Sequence, residues 1–361
     1  MRKVLLILMS VLLLAGITIA GCAAPTEEVA PTEEAAPQEG VIECIWSSGG
    51  PSYPEAGEGF GINPYIHYLQ ACTELNPAFK GRFEFKIYES GILYNQNDAQ
   101  TALASGAIQM TYGGCQYFEQ FQPEWKLLSA PGVIDNYEHF RRVMETEPFK
   151  ELTQGLAASK GTTILKWIGG LGPVYIYTMK PCENIADIDG LKIRYFGGEG
   201  VGKALASLGA IPIFMPYTEV VTALQTNQID GMITDLSGAL FFFELPRYCP
   251  NILPYELFEE KNAITANTEW LQSLPSSGDI ASPDIYEYLQ GPTSIFNRIE
   301  TYPFFYKFNG MLLDLWKQSG CYVAPYDEAQ AKTLRETVIK AQEELIGGIN
   351  PKYMKAIESV R

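Results

Sequence analysis

One phrase occurs twice in this chain of 361 residues, as TALASGAIQM at 101–110 and as TALQTNQIDGM at 222–232. The text between the copies is not repeated at comparable strength, so the fold has to build one local structure in two places. Each copy has the pattern of a helix, a stop and a strand. In the first, 98–104 reads as helix, Gly106 stops it and 108–112 is the strand. In the second, 218–225 carries Val220, Val221 and Leu224 on one helical face, Asn227 takes the slot of Gly106, and 229–234 is the strand. Gly and Asn are the residues that most readily take the left-handed conformation ending a helix. The pattern predicts two lobes that each carry one copy. The competing reading is that T-A-L before a turn is common helix text.

Around the copies, short apolar strands alternate with helical segments, which argues for an α/β architecture. The stretches 42–47 (IECIWS) and 83–88 (FEFKIY) read as strands, and 63–75 reads as a helix with Asn63 at its cap and Pro64 in its first position. Another strand, 162–167, leads into the Gly/Pro stretch GGLGP at 169–173. After it, LKIRYF (191–196) is a strand, GGEG opens a helix that ends at Gly209, and AIPIF (210–214) is a strand again. The run FFF at 241–243 reads as helix packing in preference to an aromatic cage. From 327 to 346 the chain is an amphipathic helix, with Asp327 and Gln330 as its cap pattern and Leu334, Val338, Ala341 and Leu345 on one stripe. The length exceeds one typical core and suggests two domains.

The N-terminus reads as an export address. Arg2 and Lys3 precede an apolar stretch, 4–20, broken only by Ser10, Gly16 and Thr18 and ending at Gly21-Cys22. It is too short and too abruptly succeeded by polar text to be a good spanning helix, so 1–22 reads as a secretory signal. The small residues before Cys22 resemble the lipobox of bacterial lipoproteins, which implies lipidation of Cys22; ordinary signal cleavage is the alternative. The segment 23–41 is acidic, rich in Pro and Ala, and contains APTEE twice. Such text cannot bury enough surface to fold and reads as a disordered tether.

Charge and the rarer residues narrow the function. A formal net charge of −16 repels nucleic acid and anionic lipid, so no nucleic-acid partner is expected. Beyond Cys22, six cysteines (Cys44, Cys72, Cys115, Cys182, Cys249 and Cys321) are scattered with no CxxC pair. An exported context permits disulfides, but spacing assigns none. With His67 and His139 as the two histidines, no histidine-rich metal site is expected. No HExxH, GxSxG or P-loop occurs either, so no metal, cofactor or catalytic residue is expected.

Three stretches in order, DIDGLKIRYF (187–196), LGAIPIF (208–214) and EVVTALQTNQIDGM (219–232), resemble the solute-binding proteins of tripartite ATP-independent periplasmic (TRAP) transporters, of the dicarboxylate-binding type. In the first lobe, YESGIL (88–93) and ALASGAIQM (102–110) resemble that family's strand, loop and next helix, and ITANTEWLQSLP (264–275) resembles a later strand and helix. The resemblance covers about 43–361 and is weakest from 276 to 325. It implies an α/β, two-lobed, periplasmic-binding-protein-like fold, each lobe a sheet flanked by helices, with the ligand cleft between them. The first lobe is expected to take 42–167 plus about 250–290, and the second 168–249 plus about 291–361 with the C-terminal helices. The chain is then expected to cross between lobes near 165–170 and 250–262. The function implied is extracytoplasmic: capture of a small organic acid and delivery to the small and large membrane subunits of an ion-gradient-driven permease, the body held to the membrane by its lipid. The alternative is a binding protein for an ATP-driven importer or a sensor kinase. A secreted enzyme would need a nucleophile-base pair or a metal cluster in recognisable form.

Residue by residue, the resemblance marks Arg194 as the strand-end arginine, whose planar fork matches a carboxylate; a surface ion pair is the plainer reading. A second arginine of many members would fall at Pro173 or Val174, neither of them basic, and the usual Asn after the Asp-Gly pair falls at Thr234. Trp167, Tyr175 and Phe196 are expected to cover an apolar ligand body, although strand aromatics more often belong to a core. Tyr112, Gly114 and Tyr117 come at or just after the first-lobe strand, where a ligand would meet that lobe. Asp235 is expected to cap or solvate something, unless the ligand carries an amine or the site a cation. One cationic anchor beside apolar neighbours predicts a monocarboxylate, such as a branched or aromatic 2-oxo or 2-hydroxy acid, over a C4-dicarboxylate, because a second buried carboxylate would lack a partner.

Overall fold

In a computed structural model of the chain, the described residues are 40–48, 64–75, 80–274 and 302–361. The signal segment, Cys22 and the tether through residue 39 therefore lie outside them, as do 276–301 of the weakly matching stretch. Nine strands occur among the described residues: β1 (Ile42–Ser47), β2 (Phe83–Tyr88), β3 (Met110–Gly114), β4 (Thr162–Thr178), β5 (Lys192–Tyr195), β6 (Ile211–Phe214), β7 (Gly231–Asp235), β8 (Asn251–Asn267) and β9 (Tyr322–Val323). They form one sheet in the order β2-β1-β3-β8-β4-β7-β5-β6, with β9 on β8. The order is a palindrome about β8 and β4. On one side β1 lies parallel between β2 and β3, and β3 runs antiparallel to β8. On the other, β5 lies parallel between β6 and β7, and β7 runs antiparallel to β4.

The repeated phrase supplies corresponding parts of the two halves. Helix Gln96–Ala104 precedes β3 and helix Tyr217–Gln225 precedes β7, nine residues each. Their ends carry the same bonds: Ser105 N donates to Thr101 O at 3.0 Å and Thr226 N to Thr222 O at 3.0 Å, while Ala107 N donates to Ala102 O and Gln228 N to Ala223 O, both at 2.9 Å. Gly106 at φ +81° and Asn227 at φ +54° make the left-handed stop. The first helix starts two residues before the expected position because the Asn95 side chain caps it, accepting from Asn97 N and Asp98 N. Both strands start later than expected: Ile108 and Ile229 are fully buried but precede the ladder.

The GGLGP stretch is not the end of a strand. β4 continues through it to Thr178, paired along its length with β8, and each strand has seventeen residues. The register slips between Gly169, opposite Lys261, and Pro173, opposite Glu259. Extra residues in a bulge tolerate a glycine at φ +105°, Gly172, and a proline without an N–H. Before the slip β4 pairs with the part of β8 that carries β3; after it, β4 pairs with β7. The chain thus changes halves at 169–173 and at 259–261.

Each half has its own core. In the first, Trp46, Leu69, Met110 and Ile264 pack beneath the sheet, and Phe118, Trp125, Phe140 and Phe149 form a separate helical layer. In the second, Ile193, Val201, Leu253 and Leu334 form one cluster and Tyr177, Leu224, Met232 and Trp316 another. Helix Glu328–Ile346 is capped by Asp327, which accepts from Gln330 N at 2.9 Å. Its buried stripe is Leu334, Val338 and Gln342; Gln342 takes the place expected for an apolar residue because its Nε2 donates to Gly200 O at 3.1 Å on the neighbouring helix. The expected assignment of all of 291–361 to the second half does not hold for the last helix, Pro351–Ser359. Its Tyr353, Ala356 and Ile357 pack into the first half's helical layer. Among the described residues no helix is long and apolar enough to cross a membrane.

Candidate ligand-binding site

Where the halves face each other a cavity of about 260 Å³ opens. Both copies of the repeated unit contribute to it. Asn95, Gln96, Asn97 and Asp98 stand at the N-terminus of the first helix, and Met215, Pro216 and Tyr217 at that of the second. Tyr112 comes from β3, and Thr234 and Asp235 from the end of β7. Carboxyl ends of strands and N-termini of helices are where an α/β sheet binds small polar ligands, because unsatisfied N–H groups and the positive helix end point there.

Arg194, at the end of β5, is 3% exposed. Its Nε donates to Met215 O at 3.0 Å, and its guanidinium lies over two rings, Phe196 at 5.2 Å and Phe243 at 5.9 Å. None of the ion pairs among the described residues involves it. Burial pulls its pKa down to about 10, while Tyr117 and Glu260 act in the opposite direction, so the group stays cationic at neutral pH. Outside any described ion pair and on the cavity wall, the guanidinium can receive an anion in its planar fork.

Three carboxylates line the cavity, the exposed Asp98 on the first helix and the less accessible Asp235 and Glu260. Asp235 Oδ1 accepts from Ser237 Oγ at 2.5 Å and Gly238 N at 2.9 Å, the capping role expected of it; burial raises its pKa and these bonds oppose the rise. Glu260, on β8 at the crossing, has its pKa pushed up to about 7 by burial and then by the like charge of Asp235, against Asn262, Lys261 and Arg194. Its oxygens accept long bonds from Gln116 Nε2 at 3.4 Å and Asn262 Nδ2 at 3.3 Å.

Of the residues expected at the site, Arg194, Phe196, Tyr112, Tyr117 and Thr234 stand on the cavity wall. Gly114 stands behind it. A Cβ there would come within 2.7 Å of Asn262 Oδ1 and 2.4 Å of Gln116 Oε1, so the glycine leaves room for a side chain that does line the cavity. Trp167 and Tyr175 are not on the wall. Trp167 packs into the helical layer, with ring centroids 5.0 Å from Phe140 and 5.8 Å from Trp125, because its face of the strand meets the helices. Tyr175 packs in the second half's core. Val174 is fully buried among apolar residues, so β4 brings no second cation. The run at 241–243 does more than pack, since Phe243 is both 5% exposed in the core and a wall under Arg194.

Glu260, Asn262, Asn95 and Met215 were not anticipated at the site. Asn95 carried a signal, being a capping type just ahead of a helix. Glu260 sits in the charge run EEK, which reads as a solvated face, and only the pairing of β8 inside the sheet puts it at the cavity.

A palindromic sheet whose halves meet at a cavity, with a buried guanidinium facing it, defines a two-lobed binding protein of the periplasmic type. Residues 66–277 match the family described as bacterial extracellular solute-binding protein, family 7. The chain belongs to that family. Among its relatives are a solute-binding protein of Chromohalobacter salexigens, 27% identical over 186 residues (52% of this chain and 52% of that protein), and the C4-dicarboxylate-binding periplasmic protein of Rhodobacter capsulatus, 28% identical over 179 residues (49% and 51%). The chain spans about half the length of the curated relatives it matches. A TRAP periplasmic solute-binding protein from Shewanella oneidensis, solved with bound succinate, has the same fold, with a TM-score of 0.75 at 16% identity over 89% of this chain and 99% of that one.

Proposed function

We propose that the protein is an extracytoplasmic solute-binding protein that captures a small organic monocarboxylate and delivers it to a TRAP-type permease with small and large membrane subunits. The observation that carries this reading is Arg194, buried, outside every described ion pair and facing a cavity of ligand size. Its fork receives the carboxylate, and Phe196, Phe214 and Phe243 offer apolar surface to the rest of the molecule. A dicarboxylate fits less well because the position of a second arginine is the buried Val174. Calorimetry of the purified chain against a panel of monocarboxylates, succinate and malate tests the reading. The best monocarboxylate should bind about tenfold or more tighter than either diacid, the scale of one charge left without a partner. Tightest binding to succinate or malate overturns it. Adjacent genes for a small and a large membrane subunit, as opposed to an ATPase or a kinase, would support the permease partner.

We infer further that the mature chain is exported and held to a membrane by lipid on Cys22, with 23–41 as its tether; the support is the signal-like text and the small residues before Cys22. The mature N-terminus should be Cys22 with an added acyl mass, and Cys22→Ser should move the protein from the membrane to the soluble fraction. An unmodified Cys22 in the mature protein refutes the anchor.

A further inference from the structure

The proposed carboxylate anchor, on which this inference rests, leaves the opposite charges of the same cavity unexplained. Asp235 and Glu260 line the cavity with Arg194. Neither takes part in an ion pair among the described residues. The Asp235 bonds from Ser237 and Gly238 both fall on Oδ1, and Glu260 is met by neutral amides at 3.3 Å and 3.4 Å. Asp98, which accepts from Asn95 Nδ2 at 2.6 Å, also lines the cavity, so with all three carboxylates ionised the wall carries one positive and three negative charges. A simple anion bound there would add a further negative charge beside Asp235 and Glu260, which is costly unless a carboxylate takes up a proton or a cation enters with the ligand.

Among the described residues no group of three or more His, Cys, Asp or Glu side chains is placed to hold a metal ion. An organic ammonium asks for less. It needs acceptors for its three N–H donors, and Glu260, Asp235 and the Thr234 hydroxyl are on the wall. We propose that the ligand is zwitterionic, a 2-amino acid whose carboxylate meets Arg194 and whose ammonium meets Glu260 and Asp235. The ligand then brings no net charge into the cavity, and each of its charged groups meets the opposite sign. This replaces the 2-oxo or 2-hydroxy substituent expected from sequence with a cationic one at the same carbon.

The test is calorimetry of the purified chain at neutral pH, in two buffers of different ionisation enthalpy, with L-leucine and L-phenylalanine against their 2-hydroxy counterparts, 2-hydroxy-4-methylpentanoate and phenyllactate. At least one amino acid should bind about tenfold or more tighter than its counterpart, the scale of one charge-assisted hydrogen bond, with no net proton uptake. Glu260→Gln should bring the members of that pair to similar affinity by weakening the amino acid while leaving the hydroxy acid unchanged or tighter, which a general loss of structure would not do. Hydroxy acids that bind as tightly as the amino acids, with uptake of a proton, overturn the zwitterion and leave the monocarboxylate reading standing. Amino-acid binding that disappears with EDTA also overturns it, by assigning the carboxylates to a metal. If no member of either class binds to the folded protein, the inference and the anchor it rests on both fall.

Discussion

Replacing Arg194 by alanine weakens binding of the captured carboxylate by about 30-fold or more, the lower end of the roughly 2–5 kcal/mol lost when one member of a buried charge pair is truncated. The side chain is 3% exposed, stacked on Phe196 and Phe243, and fixed by its bond to Met215 O. Little rotamer freedom is therefore lost when a ligand arrives, and most of the interaction appears as affinity. Arg194→Lys keeps the charge but lacks the planar fork and the Nε donor to Met215, so it should recover only part of the loss. Arg194→Ala also removes the bond to Met215 O and the contacts with Phe196 and Phe243, so the ligand-free melting temperature separates that structural cost from the loss of affinity. Calorimetry and a melting curve on the three proteins read both quantities. An alanine variant with unchanged affinity removes Arg194 from the site.

Trp125→Ala has the opposite signature. Trp125 is fully buried in the first half's helical layer, its ring 5.3 Å from Phe118 and 5.8 Å from Trp167, and its Nε1 donates to Gln122 Oε1 at 3.0 Å. Truncating a core tryptophan costs about 3–5 kcal/mol in cavity and lost contact. In a protein of this size that lowers the melting temperature on the order of 10 °C. Ligand affinity at a temperature where the variant is folded should stay within about twofold, since Trp125 is not on the cavity wall. Trp167→Ala should share the pattern, losing stability without affinity. A Trp167 variant that loses affinity at unchanged stability would restore that residue to the site, and a Trp125 variant that melts like the parent would contradict the packing described.

These contrasts show which parts of the molecule were legible in the sequence. The repeated helix, stop and strand could be read because each is local: apolar spacing gives the helix, and Gly106 and Asn227 give the left-handed turn. Arg194 could be read because the text around it is family-specific. What decides the rest is which strand lies beside which. GGLGP looks like a loop until β8 is seen to pair across it, with the slip between Gly169 and Pro173 absorbing the irregular residues. Trp167 and Arg194 are both strand residues with nothing in their own neighbourhood to say which face meets the helices and which the cavity. Gln342 breaks an apolar stripe for the sake of one carbonyl on another helix, Gly200 O. Glu260 lies in a charged run that would be solvated on any edge strand, and its burial results from the central place of β8.

The position of β8 in the chain also makes the joining of the two halves the most non-local pairing in the sheet. Without residues 251–267 the strands fall into two separate sheets, β2-β1-β3 and β4-β7-β5-β6, each ending in a bare edge, β3 and β4. β8 is the piece that zips those edges together, pairing Met110 with Ala266 on one side and Thr162 with Asn267 on the other. It reaches the growing chain only after both edges have been made. Pairings between residues this distant in sequence are slow to form, and an unpaired strand edge is a template for mispairing with another chain. Until residues 251–267 add to the sheet, β3 and β4 are unpaired edges, and the cavity lacks Glu260 and Asn262.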